Sequence, residues 1–336
     1  MEHIKRIIIS RTDSIGDVVL TLPLCGILKN NFPNAEIYFL GKNYVKDIVE
    51  SSVFINRFIS YDQLLNSSQQ EQIKTFNKLN ADVIIHVFPN KKIAKIAKIA
   101  KIPLRIGTSR RLFHLFTCNR KVRFSRRKSD LHEAQLNTKL LYPLNINKEY
   151  SLNELSKFYG LKNIKPVKKE LSALIDEEKF NLILHPKSKG SAREWGLENF
   201  ERLINLLPQK NFKIFITGTE QEGNLMSGFL EKNKDKITDL TGKMSLSDLI
   251  SFINSIDALV AASTGPLHIA AALGKHALGI YAPMKPIHPG RWKPVGTNAS
   301  VFVVDKECNK CKKGGICECI KDISPLQIAQ KLKSLC

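Results

Sequence analysis

A chain of 336 residues with 43% hydrophobic and 25% charged residues is long enough for two domains and too apolar for intrinsic disorder. Its apolar runs are broken by Lys, Asp or Pro within roughly ten residues, well short of a bilayer span. The formal net charge of +21 points to an acidic partner.

The opening MEHIKRIIIS reads as a strand over 4–10 with no small-residue cleavage site, so no signal peptide is expected and the cytoplasm is the expected location. Helical patterns follow near 17–31, 43–50, 69–79, 91–101 and 131–141, between strands at 35–40, 82–87 and 104–107. Pro23 implies a kink or a later start in the first helix. The segment 160–178, Lys-rich and without a clear period, is the expected join between domains. Alternation then restarts: strands at 180–184, 212–217, 237–240, 257–261 and 276–282, helices near 198–207, 220–231, 246–254 and 265–273. Ser324 and Pro325 open a closing helix. Repeated βαβ units predict two α/β, doubly wound parallel sheets, each with ligands at the carboxyl ends of its strands.

The positive charge is local. Residues 91–128 hold fourteen Lys or Arg and no Asp or Glu. Nucleic acid, an anionic membrane surface or a phosphorylated substrate fits such a window, and so does a solvated face without a partner. Nucleic acid is disfavoured because the aromatic residues here are only Phe113, Phe116 and Phe124. Within the window, KIAKIAKIAK reads as one basic helix whose lysines wind around it.

Seven cysteines in a chain read as cytoplasmic argue against a disulfide framework. Cys308 and Cys311 have zinc-like spacing, but Cys317 and Cys319 are separated by one residue where structural zinc sites have two or more. The expectation is a reduced cysteine-rich loop and no cofactor.

Three turns carry candidate chemistry. RTDSIGDVVLTLPLCGIL (11–28) follows the first strand, where phosphate cradles usually sit, yet it has one glycine beside a carboxylate, Asp17. Asp17 is either a helix cap or a general base whose ionised form is held by backbone N–H groups. HPKSKGSAREWGLENF (185–200) follows another strand; Lys187, Lys189 and Arg193 with Ser188 and Ser191 suit a diphosphate, or form an ordinary surface loop. In STGPLHIAAALGKHALGIYAP (263–283), Thr264 and Gly265 can present backbone N–H groups to an anion at a helix N-terminus. His268 lies one turn in, as a phosphate contact or a core histidine.

Together these stretches, in this order and spacing, resemble glycosyltransferase family 9, the lipopolysaccharide heptosyltransferases. Weaker similarity at LRIGTSRR and at the helix opening with His132 extends it over most of the chain. The resemblance implies a GT-B fold, two Rossmann-like domains facing each other across a cleft: acceptor-binding over 1–165 and donor-binding over 166–336. It also implies inversion at the anomeric carbon without a metal ion, which agrees with the absence of any two aspartates at i and i+2. Asp17 maps onto the family's proposed base, and Arg193 onto the basic residue that steadies the leaving diphosphate. Donor contacts are expected from Lys187, Ser188, Ser247, Ser263, Thr264, Gly265 and His268. On the acceptor side stand Thr12, Ser14, Gly16, Arg105, Arg110, Arg111 and Arg120. Ser263 stands where many members have Asp, Ser247 where some have a ribose-contacting Glu, and Lys187 where a small residue is frequent.

The expected reaction moves a heptose from ADP-heptose to the inner core of lipopolysaccharide, on a lipid A-Kdo or core oligosaccharide acceptor. The enzyme would act as a peripheral protein on the anionic inner face of the inner membrane. A family member using another sugar or glycan, and a GT-B-fold epimerase, are the alternatives.

Overall fold

The computed structural model describes residues 4–126, 128–190, 192–284, 288–304, 308, 311 and 318–336; Ser191 and Cys317 of the expected sites lie outside the described residues. The chain divides into two compact units, Met1–Asn163 and Ile164–Cys336.

The first unit is built on β1 (Arg6–Ser10), β2 (Glu36–Gly41), β3 (Arg57–Ser60), β4 (Val83–His86), β5 (Leu104–Thr108) and β6 (Arg120–Val122), in the order β3-β2-β1-β4-β5-β6. The second repeats the plan with β7 (Phe180–His185), β8 (Phe212–Ile216), β9 (Thr238–Asp239), β10 (Ala258–Ala262), β11 (His276–Tyr281) and β12 (Ala299–Val303), in the order β12-β11-β10-β7-β8-β9. Every pairing is parallel. Central strands such as RIIIS and ALVAA are buried on both faces, which is why they read as continuous apolar runs. Both sheets reverse direction of winding at one place, between β1 and β4 and between β7 and β10, and the turns after β1, β7 and β10 are the three chemically marked stretches.

The sequence reading did not contain β3, β6 and β12. All three are edge strands, and of their twelve residues only Ile59 and Val122 are buried, so the apolar signal is diluted. Near Pro23 the expected helix is two: Ile15–Val19 and Leu22–Asn31, with the proline in the first turn of the second. The helix is tightly seated there, since a Cβ on Gly26 would lie 2.4 Å from the carbonyl oxygen of Phe158. The expected helix over 131–141 is a short one at Glu133–Thr138 followed by a 3-10 turn at Lys139–Leu144 that contains Pro143.

The basic repeat differs from expectation. In the helix Lys91–Ile99, Ile93, Ala94, Ile96 and Ala97 are buried while Lys91, Lys92, Lys95 and Lys98 are all exposed. A three-residue repeat drifts by about 60° per step on a 3.6-residue helix, and nine residues end before that drift carries a lysine to the buried face. The lysines therefore share one solvent face. Among the described residues, no helix is long and apolar enough to cross a membrane.

Candidate active site

Asp17 sits in the turn after β1, third in the helix Ile15–Val19, with Gly16 before it and Ser14 at the N-cap. Its side chain keeps 18% exposure. Neither reading of it as a backbone cap holds: among the described residues no backbone N–H reaches the carboxylate. Instead Arg11 Nη2 donates to Oδ1 and Ser14 Oγ to Oδ2. Ser14 is exposed, whereas Thr12 is buried beside β1.

Arg11 was not singled out from the sequence, although it opens the same quoted stretch. Its guanidinium is 3% exposed and also bonds Asp13 at 2.7 and 2.9 Å and Glu133 at 3.2 Å. Burial opposes the charge, but Asp13, Asp17 and Glu133 outweigh it and hold Arg11 above its ordinary pKa. Arg126 reaches Glu133 at 2.8 Å, the Val87 carbonyl at 3.1 Å and Asn137 Oδ1 at 3.1 Å. Burial, ahead of repulsion from Asp17, pushes the Asp13 carboxyl upward against the pull of Arg11. The helix that supplies Glu133 and Asn137 is capped by buried His132, whose Nδ1 accepts from Ala134 N–H at 3.2 Å. The turn is thus braced by Arg11, Arg126, Asp13 and Glu133, while part of the Asp17 side chain stays open to solvent.

The basic window divides by use. Arg105 Nε donates to the Thr117 carbonyl at 2.8 Å and Nη1 to that of Ile102, so this guanidinium closes the loops around β5. Arg110, Arg111 and Arg120 are exposed. Beside them the helix Leu112–Thr117 exposes Leu112 (78%), Leu115 and Phe116 (71%), an apolar feature absent from the sequence reading. Its signal is the i, i+3, i+4 spacing of those three residues.

In the second unit the loop after β7 begins at His185, whose Nδ1 lies 2.9 Å from Thr217 Oγ1. Lys187 is ion-paired with Glu194 at 2.9 Å, and the same carboxylate accepts the Ser188 N–H at 3.2 Å. Ser188 Oγ donates to the Ala192 carbonyl at 2.9 Å. Lys189 and Gly190 both take positive φ, 50° and 77°, which turns the loop sharply. Arg193 makes no ion pair among the described residues. Next to it Trp195 is wholly buried, its Nε1 donating to the Ile323 carbonyl at 2.9 Å. The sequence reading passed over Glu194, the acid that occupies Lys187.

After β10, Thr264 is the N-cap of the helix Gly265–Ala272, with Pro266 in its first turn. Among the described residues the cap is made by the backbone alone, and Thr264 Oγ1 is buried without a hydrogen-bond partner. His268 is buried, its Nδ1 likewise without a partner, and burial lowers its pKa to about 4. Burial thus favours its neutral form. Ser263 and Ser247, the latter on the helix Leu246–Ser255, are half-buried.

The first unit thus has a braced carboxylate at its switch point, and the second has a cationic loop and a helix N-terminus without a side-chain cap at its own. The model of glycosyltransferase family 9 (heptosyltransferase) matches residues 71–319. The chain belongs to glycosyltransferase family 9. It is a glycosyltransferase of the lipopolysaccharide heptosyltransferase family, similar to lipopolysaccharide heptosyltransferase 3 of Escherichia coli K12 at 23% identity, over 85% of this chain and 84% of that protein. A glycosyltransferase of family 9 from Veillonella parvula superposes with a TM-score of 0.78 at 20% identity, covering 100% of this chain and 98% of the other. The E. coli heptosyltransferase WaaC, solved with ADP, gives 0.74 at 16% identity over 98% and 100%. The family fold is GT-B, and the two parallel six-stranded sheets are its two Rossmann-like domains.

Proposed function

We propose that this enzyme transfers a heptose from ADP-heptose to the inner core of lipopolysaccharide, with inversion at the anomeric carbon, at the cytoplasmic face of the inner membrane. Asp17 removes the proton of the acceptor hydroxyl as its oxygen attacks the carbon from the side opposite the diphosphate. The carbon–oxygen bond to the diphosphate breaks as the new glycosidic bond forms, and the nucleoside diphosphate leaves with its charge.

The observation that carries this reading is the bracing of Asp17: Arg11 and Ser14 fix both carboxylate oxygens at the end of β1 while part of the side chain stays open. Such fixing orients a base before the acceptor arrives, and Ser14, being exposed, can yield its place to the acceptor hydroxyl. The first unit is then the acceptor side, with Thr12, Gly16, Arg110, Arg111 and Arg120 around the turn and on the basic face. The second unit takes the donor. There Arg193, Lys187 and the N–H groups at Thr264 and Gly265 meet the departing diphosphate, while Ser188, Ser247, Ser263 and His268 line the nucleotide sugar. The ADP of the WaaC complex supports adenine as the donor base. The exposed Leu112, Leu115 and Phe116 beside Lys91, Lys92, Lys95, Lys98, Arg110 and Arg111 support an anionic bilayer as the surface on which the acceptor is met.

The test is product formation from ADP-heptose and a lipid A-Kdo acceptor by wild type and Asp17→Asn. The variant should lose about 10²-fold or more in kcat with donor affinity kept; normal turnover would remove Asp17 from the base role. Thermal shifts with ADP-, GDP- and UDP-sugars decide the nucleotide, since the ligand that binds the folded form raises its midpoint.

A further inference from the structure

Cys308, Cys311 and Cys319 come together in the second unit: their three sulfur atoms all lie within 4.8 Å of one another. Spacing along the chain argues for a metal-free loop, because it pairs Cys317 with Cys319 across a single residue. The fold groups them differently, bringing Cys319 to the Cys308–Cys311 pair. A C-x2-C pair is the arrangement that lets two sulfurs bind one ion, and Cys319 adds a third from the start of the turn Cys319–Asp322. A tetrahedral metal with bonds of about 2.3 Å sets its sulfurs about 3.8 Å apart, so small side-chain adjustments place the three sulfurs at three of its four corners, with the fourth open to water.

We propose that these three cysteines hold a structural, thiophilic divalent metal ion, zinc by ligand chemistry. Each thiol gives up its proton to solvent as its sulfur binds, so one ion replaces three protons. Cys311 and Cys319 belong to the buried apolar cluster that contains Trp195, Phe200, Ile320, Ile323 and Ile328, and Cys308 packs against its margin. The cluster is fastened to the loop after β7 at two points, Trp195 Nε1 on the Ile323 carbonyl and Asn199 Nδ2 on the Lys321 carbonyl at 2.8 Å. An ion at the three sulfurs therefore anchors the segment that backs Arg193, and the site is independent of what sugar the enzyme transfers.

The experiment is elemental analysis, iron included, of the full-length chain purified under reductant, for wild type, Cys308→Ser and the control Cys25→Ser, whose parent residue is buried in the first unit. Wild type and the control should carry about one metal ion per chain, and Cys308→Ser a background amount. Cys308 is only half-buried, so its serine variant should keep the far-ultraviolet circular dichroism of the wild type. In a second measurement that needs no variant, chelator-stripped, reduced wild type is titrated with cobalt(II). A stoichiometric thiolate-to-cobalt charge-transfer band, accompanied by a rise in melting temperature, is expected. Equal metal in wild type and Cys308→Ser, or a folded stripped protein that gives no such band, overturns the proposal. Iron at one ion per chain in place of zinc would keep the site and correct the metal.

Discussion

Arg11 and Asp17 are ion-paired through Nη2 and Oδ1, with the guanidinium almost wholly buried and the carboxylate partly open to solvent. Arg11 bonds Asp13, Asp17 and Glu133, and Arg126 also reaches Glu133, so these side chains form one ion-pair cluster around Arg11. Asp13 and Asp17 both lie in the turn after β1, with side chains 22% and 18% exposed, and the proposed base is the one that Ser14 also holds.

Replacing Arg11 by Met should therefore destabilise the first unit strongly. It would take one cation from Glu133, 1% exposed, and the guanidinium from Asp13. Removing one partner of a buried pair costs about 3–5 kcal/mol. Urea unfolding would measure it, and Arg11→Lys should recover part of the loss because it restores the charge without the two-pronged geometry. A midpoint for Arg11→Met equal to wild type would show that the brace does not support the fold.

Lys187 and Glu194 lead to a prediction of opposite sign. Their ion pair is partly exposed, and forming a diphosphate contact requires Lys187 to leave it. Glu194→Gln can still accept the Ser188 N–H but no longer competes for the ammonium. Such pairs contribute about 0.2–1 kcal/mol, so donor affinity should rise by about 1.4- to fivefold, measured as Kd for the nucleotide sugar by calorimetry. Lys187→Ala should weaken it, and the double variant should match Lys187→Ala. Unchanged or weaker donor binding by Glu194→Gln would take Lys187 out of the diphosphate contacts.

What the sequence discloses follows from how each feature is encoded. β1, β4, β7 and β10 are continuous apolar runs because parallel central strands are buried on both faces, and the turns after β1, β7 and β10 stand out as small and polar against them. The edge strands β3, β6 and β12 lack that contrast. The turn containing Asp17 is legible, but its brace is not: Arg11 meets Glu133 across 122 residues, and nothing local marks either as a partner of the other. The use of Arg105 is hidden for the same reason, since a list of basic residues does not say which ones bond carbonyls. The grouping of Cys319 with Cys308 and Cys311 is set by the fold and not by spacing.

The apolar helix face beside the lysines predicts a separation of binding from chemistry. Leu112→Ser with Phe116→Ser removes two exposed side chains from the helix Leu112–Thr117 without opening the core. Full transfer of such a side chain from water is worth about 1.5–3 kcal/mol, so binding to vesicles rich in anionic lipid should fall by about tenfold or more. Turnover on a detergent-dispersed acceptor should stay near wild type. Flotation assays and the solution assay together check this; undiminished flotation would mean that the face does not enter the bilayer.

The last prediction concerns acid. His86, at the end of β4 and in register with Ser10, is buried, and among the described residues both its ring nitrogens lack a hydrogen-bond partner, as do Ser10 Oγ and His114 Nε2. The His86 and His114 rings lie 5.4 Å apart. Burial first, then the positive fields of His114 and Arg105, push His86 down to about 3, and burial takes His268 to about 4. Both groups therefore stay neutral in the folded chain while the unfolded chain takes up protons below about pH 6.5. The sign follows: their contribution is fully present above about pH 6.5 and is lost as pH falls toward the folded values, by up to about 1.4 kcal/mol per pH unit for each histidine. Urea unfolding between about pH 7 and about pH 5 should show this decline, a window above the ordinary range of carboxylates. His86→Leu should flatten it by one histidine's share, whatever its effect on stability near neutral pH, because the comparison is of slopes and packing changes cancel. A slope identical to wild type would show that His86 takes up its proton in the folded chain as readily as in the unfolded one.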